Sequence, residues 1–220
     1  MATNENTREF HESVFNKMGT KEFREDLIAL LRIRSPLIYL VCNEEKRMLT
    51  FFKHLSIAQG YKTYVWDCFL GIQDIVSNQP TPLASEDMKD PEVILDHIIK
   101  SAQQDKQNAE SMEHEGIKGN IYILLDYHRF LQDALPTIER RLKQITKIEK
   151  RSTSVIIVGP SFISTPSLDD YFRVIDFPFP NKEEISNVLM SLATDEKVTL
   201  KIPGLAAEAL RPSPADVRKV

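Results

Sequence analysis

Glycine is scarce in this sequence, with 7 residues in 220, and none lies between residues 37 and 59. The apolar run at 37–42 has the composition of a buried strand, and it leads directly into Asn43, Glu44 and Glu45. A phosphate-binding loop would need glycines there, so that backbone N–H groups can surround the phosphates, and a lysine and a hydroxyl for the outer phosphate and magnesium. The absence of these residues argues against an orthodox phosphate site in this segment.

Cysteine and long apolar runs are also scarce. Cys42 and Cys68 each follow a strand-like run, so we expect buried free thiols in a reducing compartment rather than a disulfide or half a metal site. No run approaches the roughly 18 apolar residues of a membrane span, and residues 1–11 lack the apolar core of a signal peptide. A net charge of -4 disfavours a generally basic nucleic-acid binder without excluding a local basic face. These features predict a soluble protein of the cytoplasm or the plastid stroma.

The apolar spacing predicts an α/β fold. Residues 22–33 and 44–59 carry helical apolar stripes, and Gly60 is a natural helix stop before a strand at 63–66. The strand at 37–42, the helix at 44–59 and the strand at 63–66 form a β-α-β unit, which implies a parallel pair. We therefore expect a parallel sheet flanked by helices.

The rest of the chain repeats this alternation after a polar insertion. Continuous apolar runs at 121–125 and 154–158 are typical of central parallel strands, with a helix at 136–150 between them and a short strand at 174–177 after them. We predict a polar N-terminal tail at 1–20, an α/β domain at 21–181 and the start of a small helical lid at 182–220. Residues 76–119 form a polar insertion with one helix, beginning near Pro91, and 103–115 within it reads as a mobile acidic connection.

The order of these pieces resembles the AAA+ ATPase core, with its P-loop-NTPase-like sheet. It is more closely similar to the first, degenerate module of the two-module AAA-domain proteins of plastid genomes and cyanobacteria. The resemblance spans roughly residues 20 to 220, and residues 154–160, Leu168 and residues 172–181 carry its most specific part. The ending Pro-Ala-Asp-Val-Arg at 214–218 resembles the family's G-A-D-[IL]-x lid motif.

Several catalytic features of that family are not matched. The resemblance places Asp126 where an aspartate orders Mg²⁺, and it is our candidate for a vestigial nucleotide contact, but Tyr127 replaces the glutamate that activates water. The arginine-finger positions fall on Asp169 and Asp170, which would oppose the charge that an arginine stabilises. Only Ser161 remains for the polar sensor position.

Other residues admit structural and functional interpretations. Asp126 at a strand end is also typical of a helix or turn cap. His128 could act as a base, but no nucleophile or second ligand lies at an interpretable spacing. The helix at 136–150 carries several basic residues, which either form a solvent-exposed surface or contact a binding partner. The candidates for partner contact are Arg140, Arg141, Lys143 and Lys147.

The resemblance implies a catalytically degenerate module at the N-terminus of a longer AAA+ ATPase. This segment would need no cofactor and would act in assembly, regulation or partner binding, within a homo-oligomer formed through AAA-type contacts. A downstream module would bind ATP and magnesium and hydrolyse ATP. One alternative is a stand-alone adaptor or clamp-loader-like protein that recognises protein or DNA, and another is a divergent nucleotide-binding enzyme.

Overall fold

The computed structural model describes residues 2–81, 86–114, 117–132, 135–149, 152–186 and 189. Helices and strands alternate through most of this range. The helices are α1 (Ala2–Lys17), α2 (Lys21–Arg32), α3 (Glu45–Gln59), α4 (Pro91–His114), α5 (His128–Gln132) and α6 (Pro136–Lys147). The strands are β1 (Leu37–Val41), β2 (Tyr61–Asp67), β3 (Gly71–Asp74), β4 (Gln79–Pro80), β5 (Gly119–Leu125), β6 (Thr153–Gly159) and β7 (Arg173–Asp176).

The strands form one sheet in the order β4-β3-β2-β5-β6-β1-β7. The five strands from β2 to β7 in this order are parallel, and β3 and β4 extend the sheet as antiparallel strands. The predicted α/β fold with a parallel sheet is confirmed. Gly60 ends α3 in the left-handed conformation at φ 75°, as its position predicts.

Apolar cores lie on both faces of the sheet, because successive side chains of a strand point to opposite faces. In β1, Leu37 and Tyr39 join one core and Ile38 and Leu40 join the other. The first core lies against α4 and α6, and the second against α1, α2 and α3. Among the described helices, none combines the length and the apolar composition needed to cross a membrane.

The N-terminal region differs from the polar tail predicted for residues 1–20. It forms α1, which packs on α3 through Phe15, a side chain only 1% exposed whose ring centroid lies 5.1 Å from that of Phe51. Burial of a phenylalanine contributes about 1.5–3 kcal/mol, which explains how a mostly polar helix is held against the domain.

Two further expectations differ from the structure. Cys68 is exposed because β2 ends at Asp67 and the cysteine falls in the following turn, whereas Cys42 is partly buried. Helix α4 continues through His114, where a connection was expected from residue 103. Most of the predicted lid, including the motif at 214–218, lies outside the described residues, and residues 182–186 are helical as predicted.

Candidate functional site

The candidate site is the carboxyl-terminal edge of the parallel sheet, where ligands bind in open α/β sheets. Residues 42–44 follow β1, Asp126 follows β5 and residues 160–161 follow β6. Because β6 lies between β1 and β5, these three segments are neighbours. The Cys42 N–H donates to the Gly159 carbonyl at 2.9 Å and so joins the ends of β1 and β6.

The connection from β1 to α3 is a short turn formed by residues 42–44. The backbone N–H of Glu44 donates to Cys42 Sγ at 3.2 Å, and burial raises the pKa of that thiol. The Glu44 carboxylate accepts a hydrogen bond from Arg47 Nε in the first turn of α3, at 2.6 Å. The side chains of Cys42, Glu44 and Arg47 therefore make the hydrogen bonds that hold this turn.

Arg47 is the centre of a network of contacts at this turn. Besides Glu44, its guanidinium contacts Glu184 Oε1 at 3.1 Å and donates through Nη2 to the Pro178 carbonyl. It also lies 4.4 Å from the centroid of the Phe177 ring, within the range of a cation–π contact. The Arg47 side chain is 16% exposed. An arginine with this many partners near α3's N-terminus is held in place and not presented to solvent.

Glu184 supplies the carboxylate on the other side of this network. Its Oε2 accepts hydrogen bonds from the backbone N–H groups of Gly19, at 3.1 Å, and Asn181, at 2.9 Å. Asn181 Oδ1 accepts from the Glu184 N–H at 2.9 Å, and this reciprocal pair is a capping arrangement at the start of a helix. Asn181 Nδ2 also donates to the Lys17 carbonyl at 2.7 Å. One carboxylate thus joins the α1–α2 connection, α3 and the segment after β7.

Asp126 is exposed and adopts the left-handed conformation at φ 54°. Its backbone carbonyl accepts a hydrogen bond from the Arg129 N–H at 3.1 Å, so the residue forms a turn into α5. Within the described part of the chain its carboxylate makes no side-chain cap. The same residues contain no group of three or more side chains suited to a metal ion. Asp126 remains a solvent-facing carboxylate whose proposed nucleotide contact is untested.

Tyr127, which the resemblance places at the position of a water-activating glutamate, points into the core. Its ring is fully buried, its hydroxyl donates to the Pro91 carbonyl at 2.6 Å, and it packs 5.5 Å from the Trp66 ring. Burial raises the pKa of the phenol. The side chain therefore fixes the start of α4 against the sheet and is not directed at the candidate site.

His128 and the end of β6 are also packed closely. His128 is buried, with Nδ1 3.3 Å from the Val158 carbonyl. A Cβ at Gly159 would lie 3.0 Å from His128 Nδ1 and 2.5 Å from the Tyr39 hydroxyl, so a side chain does not fit there. Tyr39 donates to the Ser161 carbonyl at 2.7 Å. These contacts give His128 a packing role.

Asp169 and Asp170, which the resemblance places at the arginine-finger positions, lie in a short 3-10 turn, Asp169–Tyr171, before β7. Both are exposed. Their carboxylates make no ion pair with the described residues. The two carboxylates place negative charge on the exposed surface of the turn before β7.

The residues of the predicted basic face on α6 differ in their surroundings, since some contact this chain and others are exposed. Arg141 binds Asp96 at 2.8 Å and Glu92 at 2.8 Å, and these partners raise its pKa and tie α6 to α4. Lys143 lies 6.0 Å from the Tyr171 ring centroid. Arg140 and Lys147 are exposed. The structure thus assigns Arg141 a role between helices, and the partner function of the face remains a prediction.

Sequence reasoning missed Arg47 and Glu184, the two residues that complete the turn after β1. Asn181 followed three residues later by Glu184 is the pattern of a helix cap, and it could have located the start of that helix. No local pattern connects Glu184 with Arg47, which lies 137 residues away.

Comparison with known proteins identifies relatives for this chain. Residues 23–177 match the family model described as SpoVK-like AAA ATPase, N-terminal domain. An uncharacterised AAA domain-containing protein, ycf46, of Gracilaria tenuistipitata var. liui is 30% identical over 168 residues, which cover 74% of this chain and 30% of the relative. The ycf46 protein of Pyropia yezoensis is 28% identical over 173 residues, covering 78% of this chain and 31% of the relative. The chain thus spans about a third of the length of these relatives.

Two solved structures resemble the chain at low identity. PCH-2 of C. elegans aligns with a TM-score of 0.48 and 16% identity, over 84% of this chain and 52% of that one. A chain of the E. coli MS115-1 HORMA:CdnC:Trip13 complex aligns with a TM-score of 0.45 and 15% identity, over 89% of this chain and 62% of that one.

Proposed function

The chain belongs to the family of SpoVK-like AAA ATPase N-terminal domains, with a P-loop-NTPase-like parallel sheet, and on this premise we propose that it is a catalytically degenerate module of a larger AAA+ ATPase. The module acts in assembly, regulation or partner binding, and it takes no cofactor itself. A second module of the parent protein binds ATP and magnesium and hydrolyses ATP. The greater length of the relatives supports this division and favours it over a stand-alone adaptor.

The observation that carries the proposal is the Arg47 network. In a working site, the turn after the first strand and the N-terminus of the following helix hold phosphate through backbone N–H groups and a lysine. Here the turn has three residues, 42–44, and the nearby cation is neutralised by Glu44 and Glu184. A phosphate entering this position would meet two carboxylates and an arginine that is already paired.

The site contains little that could replace the missing chemistry. Tyr127 is turned into the core, and Asp169 and Asp170 present negative charge where an arginine would be needed. Asp126 is exposed, but its carboxylate alone does not supply a base, a phosphate-binding cation and an arginine. We infer from this that the module contributes structure and contacts to a homo-oligomer, rather than catalysis.

A thermal shift with Mg-ATP tests the proposal on this chain. A ligand at 100 times its dissociation constant stabilises the folded state by about 2.7 kcal/mol, or roughly 5–11 °C for a domain of this size. We expect no measurable shift at 5 mM Mg-ATP. A shift that disappears in Asp126→Ala would identify a working nucleotide site and overturn the proposal.

The parent protein offers a second test. Asp126→Ala there should leave the ATPase rate within a few-fold of the unmodified protein, since hydrolysis is assigned to the other module. A collapse of the rate in a correctly folded variant would contradict the assignment.

A further inference from the structure

Two histidines from different helices face each other where α1 packs on α3. His11 lies on α1 and His54 on α3, and their Nδ1 atoms are 2.8 Å apart, with the ring centroids 4.8 Å apart. Both side chains are half-buried, so solvent reaches the pair. The pair lies in the last two turns of α3, at the opposite end from the turn after β1, and the proposed function does not use it.

Contacts on either side fix the spacing of the two rings. One turn after His11, Phe15 packs against Phe51 with ring centroids 5.1 Å apart. One turn before it, Arg8 Nε donates to the Ala58 carbonyl at 3.1 Å. The residue numbers rise along α1 as they fall along α3, so the helices are antiparallel and the histidines form the middle of three successive contacts. Side chains on packed helices are positioned more precisely than side chains on loops.

The two rings can meet in two protonation arrangements. If one Nδ1–H donates to the other Nδ1, the pair forms a hydrogen bond and uses a single lone pair. If each uncharged ring carries its proton on Nε2, two lone pairs face each other across 2.8 Å and a cation can accept both. Burial, with smaller contributions from His11 and Lys53, lowers the pKa of His54, so this ring is uncharged at pH 7.5, the form that binds metal.

The distance between the nitrogens indicates which ions fit. A bond between imidazole and zinc is about 2.0–2.1 Å long. With bonds of that length, two nitrogens lie about 2.8–3.0 Å apart when they make an angle of about 90° at the ion, and about 3.3–3.4 Å apart at the tetrahedral angle. The observed 2.8 Å therefore matches neighbouring ligands of a square-planar or tetragonal ion, the geometry that Cu²⁺ and Ni²⁺ adopt with nitrogen and oxygen ligands.

We propose that His11 and His54 bind one divalent ion of this kind, Cu²⁺ or Ni²⁺, which links α1 to α3. The described residues contain no group of three or more side chains suited to a metal, so water completes the coordination. The ion has a structural role and takes no part in nucleotide chemistry. His54 is nine residues along α3 from Glu45, or about 14 Å at the rise of an α-helix, and thus far from the candidate site.

Two neighbouring side chains act on this site in opposite directions. The ring of Phe10 contacts both histidines, with centroids 5.4 Å from His11 and 6.4 Å from His54, and an apolar neighbour restricts the access of solvent to a metal. Lys53 places a like charge near His54 and weakens the binding of a cation. With two protein ligands and this charge, we expect weaker binding than at a structural site with four protein ligands.

Isothermal titration calorimetry with NiCl₂ at pH 7.5 tests the proposal on the chain without a histidine tag. We expect one Ni²⁺ per chain. Thermal denaturation gives a second readout: at ten times its dissociation constant, Ni²⁺ should raise Tm by roughly 3–6 °C, because it binds the folded state. MgCl₂ at the same concentration should leave Tm unchanged, because Mg²⁺ requires oxygen ligands.

His11→Gln and His54→Gln each remove one ligand. Each should weaken Ni²⁺ binding more than about tenfold, because the second nitrogen no longer binds from the same rigid frame. Their melting curves without metal show whether they fold, and two variants on different helices keep the test available if one of them does not. His97→Gln is the matched control, a half-buried histidine on α4 whose ring contacts Tyr122, and it should bind Ni²⁺ like the unmodified chain.

The exposed thiol of Cys68 requires a control of its own, since thiols also bind these metals. Cys68→Ser should bind Ni²⁺ like the unmodified chain. Three results would overturn the proposal. If NiCl₂ neither binds nor raises Tm, the two rings form only a hydrogen bond. If the two ligand variants bind like the unmodified chain, or if His97→Gln or Cys68→Ser loses as much affinity as they do, another side chain holds the ion.

Discussion

Replacing Arg47 by methionine tests whether the network after β1 holds the domain together. Methionine keeps an unbranched apolar chain on Phe177 but removes the ion pairs to Glu44, at 2.6 Å, and Glu184, at 3.1 Å, and the hydrogen bond to the Pro178 carbonyl. The two carboxylates would remain, with side chains only 21% and 11% exposed and without their cation.

The cost of this change lies between two limits. Breaking a fully buried ion pair destabilises a protein by about 3–5 kcal/mol, whereas an exposed pair contributes about 0–1 kcal/mol. The partial exposure of these groups places Arg47→Met at about 2–3 kcal/mol. For a domain of 150–250 residues, that corresponds to a fall in Tm of roughly 4–12 °C.

Chemical and thermal denaturation of four chains measures this cost. They are the unmodified chain, Arg47→Met, Glu184→Gln and the double variant, with Lys21→Met as a surface control expected to change stability by less than about 0.5 kcal/mol. Because both residues act in one network, the double variant should be about 1–2 kcal/mol more stable than the sum of the single effects predicts. A loss below 1 kcal/mol for Arg47→Met, or additive single effects, would refute the reasoning.

Two further predictions concern the half-buried His54 and the buried Tyr127. Burial, with smaller contributions from His11 and Lys53, lowers the pKa of His54, whose Nδ1 is 2.8 Å from that of His11. Because the unfolded chain then binds more protons than the folded one, the stability of the protein should fall as the pH drops below about 6.5. His54→Gln should therefore flatten the dependence of Tm on pH, measured between pH 7.5 and 5.5. An equally steep profile in His54→Gln would contradict this. Tyr127→Phe removes the hydrogen bond to Pro91 and should cost about 1–2 kcal/mol in urea denaturation without changing ATPase activity of the parent protein, whereas a change in kcat would place the phenol in the reaction.

The sequence predicted those parts of the fold that rest on local patterns. The apolar stripe and Gly60 located α3, and continuous apolar runs located β5 and β6, because each pattern follows from the burial of a few neighbouring residues. Helix α1 was missed because Phe15 is the one buried side chain among those described in this helix, and one buried ring in a polar segment gives little periodic signal. Cys68 was predicted to be buried, but β2 ends one residue earlier, at Asp67, and the cysteine lies in the exposed turn that follows.

At the candidate site, the sequence shows that glycines are lacking before α3 but does not predict which side chains lie there. The lack of glycines before α3 can be seen in the residues alone. The pairing of Arg47 with Glu184 depends on the parallel arrangement that brings the end of β7 beside β1, so it requires the tertiary fold. The direction of Tyr127 is likewise set by the backbone at Asp126, whose left-handed conformation turns the chain at the end of β5.

At this edge of the sheet a carboxylate of the chain itself, Glu184, forms the contacts, and its contribution to stability differs from that of a bound phosphate. A bound phosphate stabilises its site by an amount that rises with its concentration relative to its dissociation constant. Glu184 belongs to the chain and is held by Arg47 and by the N–H groups of Gly19 and Asn181, so its contribution is the same at every nucleotide concentration. The connections that meet at Glu184 are therefore fixed by folding alone, which fits the role proposed above, a module that keeps one arrangement beside a catalytic neighbour.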